Sequence, residues 1–162
     1  MDFDIPQDIQ EFLKDLDEFI ETEIKPLELQ DDNIRFFDHR REWARTDFEN
    51  GGVPRKEWEE LLAEMRRRAD RAGFLRYSLP SKYGGRNGTN LGMAIIREHL
   101  AAKGLGLHND LQNESSVVGN FPTIKMCENY GTPAQHEEFI NGKFEATRRV
   151  AFGHTEPNQG SD

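Results

Sequence analysis

The stretch that decides the fold is Val150-Ala151-Phe152-Gly153-His154-Thr155-Glu156-Pro157-Asn158-Gln159-Gly160-Ser161-Asp162. It begins as a short apolar run, which favours a β-strand, and it ends in a turn rich in hydroxyl, amide and glycine groups. The sequence before it shows helical periodicity instead. We therefore expect a helical domain followed by the first strand of a β-domain, with a polar ligand bound at the edge of that strand.

The turn at the end of this stretch has the chemistry of a binding edge. Pro157 fixes its own φ and keeps Glu156 extended, which holds the Thr155 hydroxyl out at the edge. Gly160 has no side chain, so its backbone can approach a flat or phosphorylated ligand closely. Ser161 adds a small hydrogen-bond donor and acceptor. An ordinary strand followed by an Asx-type turn is the alternative interpretation.

Length and composition exclude several classes of protein. The 162 residues can form one domain with a core, or one domain and the beginning of a second. Only 35% of them are apolar and 31% are charged, so the apolar residues should lie in stripes. The net charge of −9 argues against a nucleic-acid binder. No run is long enough for a membrane span and the N-terminus is acidic, so we expect a cytoplasmic protein.

The apolar periodicity predicts about five helices, packed as an antiparallel up-and-down cluster. A capping box formed by Asp4 and Gln7 should begin the first helix, and Pro26 should end it. Pro54 is placed like the first residue of the second helix, and Gly73 like its stop. The apolar stripes of these two helices are Ile9, Phe12, Leu13, Leu16, Phe19, Ile20 and Ile24, and then Trp58, Leu61, Leu62, Met65, Ala69 and Ala72.

Three further helices should follow an extended connector over residues 74–80 and a turn over residues 81–85. The third should run from about Asn90 to Lys103, and the fourth from about Asp110 to Tyr130 with a kink or break at Pro122. On the third helix we expect one face to carry Leu91, Ala94, Ile95 and Glu98. The fifth helix has clear start signals and should end near Gly142. These signals are Thr132 as N-cap, Pro133 in the first turn and Gln135 at N3.

Between residues 31 and 52 the helical periodicity fails, and arginines alternate with aromatic residues. Such a stripe could stack on bases or grip an anionic ligand. Because the chain has surplus carboxylates, the pattern favours a long connection whose aromatics pack on the core and whose arginines form ion pairs. The residues concerned are Arg35, Phe36, Phe37, His39, Arg40, Arg41, Trp43, Arg45 and Phe48.

The remaining reactive side chains give no pattern for a metal or for nucleophilic catalysis. The single cysteine, Cys127, cannot form an internal disulfide, and we expect it to be a small buried residue in a helix. None of the five histidines follows a glutamate by three residues, which excludes the paired motif of ferritin-like di-iron bundles. We expect each histidine to lie at the surface or in a cap, and we predict no metal site.

The C-terminal stretch resembles the Thr-Glu-Pro-x-x-Gly-Ser-Asp signature of the acyl-CoA dehydrogenase family. Two other elements resemble the family in the same order along the chain: Gly73 followed by Pro80-Ser81-Lys82-Tyr83-Gly84-Gly85, and Gly131-Thr132-Pro133 with Gln135. Two features depart from the family. The stretch over residues 31–52 is longer than in a typical member, and His154 stands where most members carry an apolar residue.

The resemblance implies a fold and a cofactor. It implies an N-terminal α-helical domain over residues 1–145 and the beginning of a middle β-domain, truncated, over residues 146–162. Family members use FAD to oxidise an acyl-CoA thioester to a trans-2-enoyl-CoA. By their places in the motif, Phe152, His154, Thr155, Gly160 and Ser161 would contact the flavin, and Ser161 would also lie near the bound thioester.

The resemblance also implies what else the reaction needs. The family's catalytic glutamate comes from the C-terminal half, so Glu98, Glu114 and Glu156 cannot be assigned that role, and we expect these 162 residues alone to be inactive. Full-length members form tetramers or dimers and pass electrons to an electron-transfer flavoprotein. Two alternatives remain open: a non-catalytic helical interaction module that retains the fold, and a relative of the acyl-CoA oxidases.

Overall fold

The structure is a computed structural model that describes residues 4–109, 116–141 and 160, and this part of the chain is mainly helical, as expected. The chain divides into two compact units, residues 1–121 and 122–162. The predicted domain boundary near residue 145 and the strand beyond it lie outside the described residues, so both stay predictions. None of the described helices is long and apolar enough to cross a membrane.

The first unit opens with one long helical rod in three parts. Helix α1 spans Gln7–Phe19, a π-helical turn spans Ile20–Ile24, and α2 spans Lys25–Leu29. The whole predicted apolar stripe of this helix is buried, and Leu27 extends it. The predicted capping box is wrong, because Pro6 is the N-cap and no side chain caps it.

The predicted end of this helix at Pro26 is also wrong, since the helix continues through the proline. The N–H of Lys25 bonds to the carbonyl of Ile20, five residues back rather than four. Proline has no N–H, and in an α-helix its ring clashes with the carbonyl four residues earlier. The wider π turn directly before Pro26 relieves this conflict, so the rod continues to Leu29.

Short elements fill the stretch that the sequence indicated as a connection. They are a 3₁₀ turn over Asn33–Phe36, α3 over Arg41–Arg45, β1 over Thr46–Asp47, a 3₁₀ turn over Phe48–Asn50 and β2 over Val53–Pro54. Strands β1 and β2 pair in antiparallel register, with Thr46 opposite Pro54. Gly51 and Gly52 make the reversal between them at φ values of 89° and 74°, which side chains rarely adopt.

Helix α4 spans Lys56–Arg71 and carries the predicted stripe, except that Ala72 is exposed. It begins after the predicted position because Pro54 belongs to β2. Its end is as predicted: Gly73 has a φ of 78° and donates to the carbonyl of Asp70 at 3.0 Å, while Phe74 donates to that of Ala69 at 2.9 Å. This pair of bonds is a Schellman motif.

The connector after α4 is not extended, which corrects the prediction. Its backbone turns twice, with bonds from Tyr77 to the Phe74 carbonyl and from Leu79 to the Arg76 carbonyl. These turns bury Phe74, Leu75, Tyr77 and Leu79. The rings of Phe12 and Phe19 lie 5.5 and 4.9 Å from that of Phe74, so the connector forms the core against α1.

Helix α5 spans Asn90–Ala102, close to the predicted bounds, and the Thr89 side chain caps it by accepting from the Gly92 amide at 3.0 Å. The predicted face is wrong. The buried residues are Gly92, Met93, Ile96 and Leu100, whereas Leu91 is 62% exposed. Glu98 is exposed.

Helices α1 and α5 are also joined at the surface. The carboxylate of Asp17 contacts Nε2 of His99 at 2.7 Å and Nζ of Lys103 at 2.8 Å. Burial alone would raise the pKa of Asp17, but the hydrogen bonds from Lys103 and His99 outweigh it and hold the pKa below the ordinary value. This carboxyl group therefore stabilises the helix pair in its charged form.

The second unit contains α6 over Pro122–Tyr130, α7 over Pro133–Gln135 and a π-helical continuation over His136–Asn141. The predicted break at Pro122 is confirmed, but residues 116–121 before it are not helical. The predicted capping box is also confirmed: Thr132 accepts from the Gln135 amide at 3.3 Å, and the Gln135 side chain accepts from the Thr132 amide at 2.8 Å. Cys127 is half-buried, not buried.

Candidate functional site

The predicted flavin-contacting residues lie almost wholly outside the described part of the chain. This holds for Phe152, His154, Thr155 and Ser161. Gly160 lies in an exposed bend, and a Cβ placed on it would meet no heavy atom of the described residues within 4 Å. The space around this glycine fits the close approach of a flat ligand to the backbone. The arrangement of the five residues relative to one another stays a prediction.

The glycine pair of the second family-like element shapes a turn. Ser81–Tyr83 forms a 3₁₀ turn, and Gly84 follows with a φ of 73°. A Cβ on Gly85 would overlap the carbonyl oxygen of Leu79, so a side chain cannot be accommodated there. These features confirm the predicted turn over residues 81–85 and show that both glycines serve it.

Arg76 holds this turn against α4. Its guanidinium donates to both carboxylate oxygens of Asp70, at 2.6 and 2.7 Å, and to the carbonyl of Tyr83 at 3.0 Å. A bidentate guanidinium–carboxylate pair fixes orientation as well as distance. The family-like element is therefore anchored by a side chain that precedes it in sequence.

A cleft of about 560 Å³ opens in the first unit between the first turns of α1 and the start of α5. Its walls combine apolar and aromatic surface with charged groups from both elements. The residues that line it are Pro6, Asp8, Ile9, Glu11, Phe12, Asp15, Tyr77, Arg86, Asn87, Gly88, Thr89, Leu91 and Gly92. The sequence did not reveal this cleft, because it forms between segments about seventy residues apart.

Two side chains define the chemistry of the cleft. Burial raises the pKa of Tyr77, and the neighbouring Asp8 carboxylate raises it further, so the phenol stays protonated. Arg86 donates to the Gly73 carbonyl at 3.2 Å, and its guanidinium lies 5.1 Å from the ring centre of Phe12. Such groups are suited to binding and orienting a ligand, but they do not place a nucleophile beside a base.

The ring of Tyr77 reaches its place because two glycines leave room for it. A Cβ on Gly88 would overlap the ring carbons of Tyr77, and a Cβ on Gly92 would overlap its hydroxyl oxygen. The sequence signal is a pair of glycines four residues apart at the start of α5. From the sequence we gave neither glycine a packing role, and so missed the contact.

The aromatic and arginine-rich stretch is only partly a packed connection. Phe36 is fully buried, 5.2 Å from the ring of Trp58, and Arg40 pairs with Asp38 at 2.7 Å. Hydrogen bonds from Arg40 lower the pKa of Asp38 to about 2. Trp43 and Phe48 depart from the prediction, because they are 66% and 50% exposed and contact each other edge to face, with ring centres 4.8 Å apart.

His108 is the main exception to the prediction that histidines lie at the surface or in caps. It is 4% exposed and follows α5 in a tight turn. By contrast, His39 is exposed and His99 pairs with Asp17 at the surface. Over the described ranges no group of three His, Cys, Asp or Glu side chains is placed to hold a metal ion.

Comparison with known proteins places this helical scaffold in a family. A family model described as "Acyl-CoA dehydrogenase, N-terminal domain" matches residues 6–145. The long-chain specific mitochondrial acyl-CoA dehydrogenase of Rattus norvegicus is 30% identical over 131 residues, which cover 75% of this chain and 28% of the rat protein. The short-chain specific acyl-CoA dehydrogenase of Megasphaera elsdenii is 28% identical over 169 residues, which cover all of this chain and 36% of that protein.

A third relative, acyl-CoA dehydrogenase FadE12 of Mycobacterium tuberculosis, is 29% identical over 103 residues, which cover 64% of this chain and 25% of the relative. No solved structure matches the chain significantly. The scaffold defined by α1, α4 and α5 is thus the N-terminal helical domain of a class of dehydrogenases. The chain belongs to the acyl-CoA dehydrogenase family, and it spans about a third of the length of the curated relatives it matches.

Proposed function

We propose that the natural protein carrying this chain is an FAD-dependent acyl-CoA dehydrogenase, which oxidises an acyl-CoA thioester to a trans-2-enoyl-CoA. The observation that carries the proposal is the family match over residues 6–145, which ends just before the Thr155–Asp162 signature. The turn at Pro80–Gly85 and the capping box at Thr132 support it, because both family-like elements have definite structural roles.

In this proposal Phe152, His154, Thr155, Gly160 and Ser161 contact the flavin, and Ser161 also lies near the thioester. When bound, FAD would supply the acceptor for the β-hydride. The chain's own contribution is to bind and orient the cofactor and to shield the reacting atoms from water. Gly160 allows the backbone to approach the flavin, while the Thr155 and Ser161 hydroxyls offer hydrogen bonds.

The remaining partners are proposed from the family resemblance. The glutamate that removes the α-proton is expected outside these 162 residues, so we expect them alone to give no turnover. An electron-transfer flavoprotein would accept the electrons, and the whole protein would form a tetramer or dimer. Relatives named as long-chain specific and as short-chain specific both match, so the acyl-chain length stays open. The cytoplasmic location stays a prediction, and the rat relative is named as mitochondrial.

The test begins with the natural protein that contains these residues. We expect it to purify with the yellow absorbance of a flavin and to reduce a dye when acyl-CoA is added. A colourless protein that does not bind added FAD would contradict the proposal and favour a non-catalytic interaction module. A yellow protein that reduces oxygen instead of the dye would indicate an acyl-CoA oxidase.

The flavin-contacting residues are tested by paired substitutions. Gly160→Val introduces a side chain where we expect the flavin to lie, and it should lower FAD occupancy about tenfold or more, the loss expected when a ligand contact costs at least 1.4 kcal/mol. Gln159→Val introduces the same side chain at an unspecified position of the signature and should leave occupancy unchanged. Equal FAD occupancy in the two variants would show that Gly160 does not contact the flavin. It would leave the proposal that the protein binds FAD unaffected.

A further inference from the structure

The turn after α5, residues 104–109, closes tightly around a buried histidine. His108 is 4% exposed, and Leu107 before it is fully buried. A Cβ on Gly106 would lie 2.7 Å from two atoms of the His108 ring. The backbone at Gly106 therefore packs directly against the imidazole and leaves no room for a side chain. The Asn109 amide closes the turn by donating to the Gly106 carbonyl at 3.0 Å.

Side chains and backbone from two other segments fasten this turn. The carboxylate of Glu28, on α2, accepts from the Leu107 amide at 2.5 Å. On the other side, the Ser116 hydroxyl and the Val117 amide donate to the His108 carbonyl at 3.2 and 3.3 Å. The turn is therefore a junction that ties the end of α5 to α2 and to the segment beginning at Ser116. We call this junction the His108 latch.

The His108 latch accommodates a neutral imidazole but not a charged one. The backbone of Leu100 and Gly104 favours a proton on the ring and so raises its pKa, but burial outweighs this effect. The Nε2 atom of the ring is buried with no hydrogen-bond partner among the described residues. A second proton would have to sit on that nitrogen. A buried cation without a partner is costly, because it gives up its hydration and receives no hydrogen bond.

Most of the charges around the ring lower the pKa of His108. Burial lowers the pKa of His108, and the positive charges of Lys103 on the α5 side and Lys25 on α2 lower it further. Glu28 brings an opposite charge from α2, but its oxygen is already engaged by the Leu107 amide. Ser116, from the third segment, faces the His108 carbonyl rather than the ring nitrogen and carries no charge.

We propose that the His108 latch is an acid-sensitive device, closed around the neutral ring and opened when the ring takes up a proton. In the open state the imidazole meets water and regains its ordinary affinity for protons. Opening then binds one proton, so the open population rises up to about tenfold for each pH unit below about 6.5. This inference does not depend on the proposed reaction or on flavin binding.

Hydrogen exchange on the natural protein tests the latch. Peptides that cover residues 104–109 report the opening, and peptides that cover residues 69–75, with the Schellman bonds of α4, serve as the internal reference. After correction for the intrinsic pH dependence of exchange, protection of residues 104–109 should fall about fivefold between pH 6.5 and 5.5, while that of residues 69–75, whose local opening at the end of α4 leaves His108 buried, stays constant.

Two variants test whether His108, rather than another titratable group, causes this pH dependence. His108→Gln cannot take up a proton and should abolish the pH dependence of protection over residues 104–109. His39→Gln removes an imidazole whose side chain is 87% exposed, and it should leave the pH dependence of protection over residues 104–109 unchanged. Equal protection at both pH values in the unmodified protein would overturn the proposal, as would the same pH dependence in His108→Gln.

A separate measurement covers the case in which His108→Gln fails to fold. Deuterium exchange at the Cε1 carbon of each histidine, followed by mass spectrometry, gives the pKa of His108 in the unmodified protein. A pKa clearly below that of His39 supports the latch. A pKa equal to that of His39 or above it would overturn the latch.

Discussion

At the scale of the residue, Gly92 shows how a missing side chain can orient a whole helix. The Tyr77 hydroxyl occupies the place that a Cβ would take, and the Ile9 side chain closes the same space from α1. Tyr77 in turn lies 4.9 Å from the ring of Phe12. The glycine lets α5 approach this aromatic cluster, which explains why Gly92 and its neighbour Met93 are buried.

Substitution of Gly92 by alanine sets two effects against each other. Alanine favours a helix by about 1 kcal/mol relative to glycine, but overlap in a packed core costs about 1–3 kcal/mol. We expect the overlap to dominate, so that the free energy of unfolding falls by up to about 2 kcal/mol in chemical denaturation.

The control is Tyr77→Phe, which removes the oxygen that the introduced methyl group would meet. In the Tyr77→Phe background, Gly92→Ala should cost less than it does alone, because contacting residues are not additive. Equal costs in both backgrounds would show that the Tyr77 hydroxyl does not limit the space at this position.

At the scale of the element, the segment between α2 and α4 divides into a packed part and an exposed part. Phe36 is buried against Trp58, with the Arg35 guanidinium 4.2 Å above its ring. Phe48 follows the β1 strand and is half exposed against Trp43. The same residue type thus serves the core in one place and lies at the surface in the other.

This division predicts a large difference between two identical substitutions. Phe36→Ala should lower the free energy of unfolding by about 3–5 kcal/mol, because it empties a filled core position. Phe48→Ala should change it by less than about 1 kcal/mol, since half of the ring already contacts water. Denaturation midpoints of the two variants provide the measurement, and similar losses in both would contradict the packing of Phe36.

At the scale of the whole molecule, two kinds of ionisable group couple stability to pH. Hydrogen bonds with Arg68 hold the pKa of Glu64 below its ordinary value, and Asp17 is lowered as well, so both stabilise the fold when charged. Their contributions are lost only as the pH falls below their ordinary values of 4.5 and 3.8. Burial lowers the pKa of His108 below 6.5, so its contribution is present above pH 6.5 and begins to be lost as the pH falls below that value, before those of the two carboxylates.

The acid unfolding of the protein should therefore begin near pH 6.5 rather than near pH 4. Below 6.5 the unfolded chain binds a proton at His108 that the folded chain resists, so stability falls by up to about 1.4 kcal/mol per pH unit. Urea midpoints between pH 8 and pH 5 measure this fall. The His108→Gln variant should show a flat profile above pH 5, and an unchanged slope in that variant would assign the effect to other groups.

The sequence by itself determined the features that depend on neighbouring residues. These are the Schellman end of α4 at Gly73, the bounds of α5, the break at Pro122, the capping box at Thr132 and the family signature. Each follows from backbone conformation or from a side chain bonding to the adjacent turn. Such interactions span only a few residues, so they can be inferred from the chain alone.

The tertiary structure decided the features that depend on distant partners. The face of α5 was set by Tyr77, the course of α1 through Pro26 required a π turn, and His108 was buried by Glu28 and the segment at Ser116. At α5 and at His108 a contact from another part of the chain overrides the local preference, and at Pro26 a change in the helical hydrogen-bond pattern does. Packing energy depends on which surfaces meet in space, and neither periodicity nor propensity specifies that meeting.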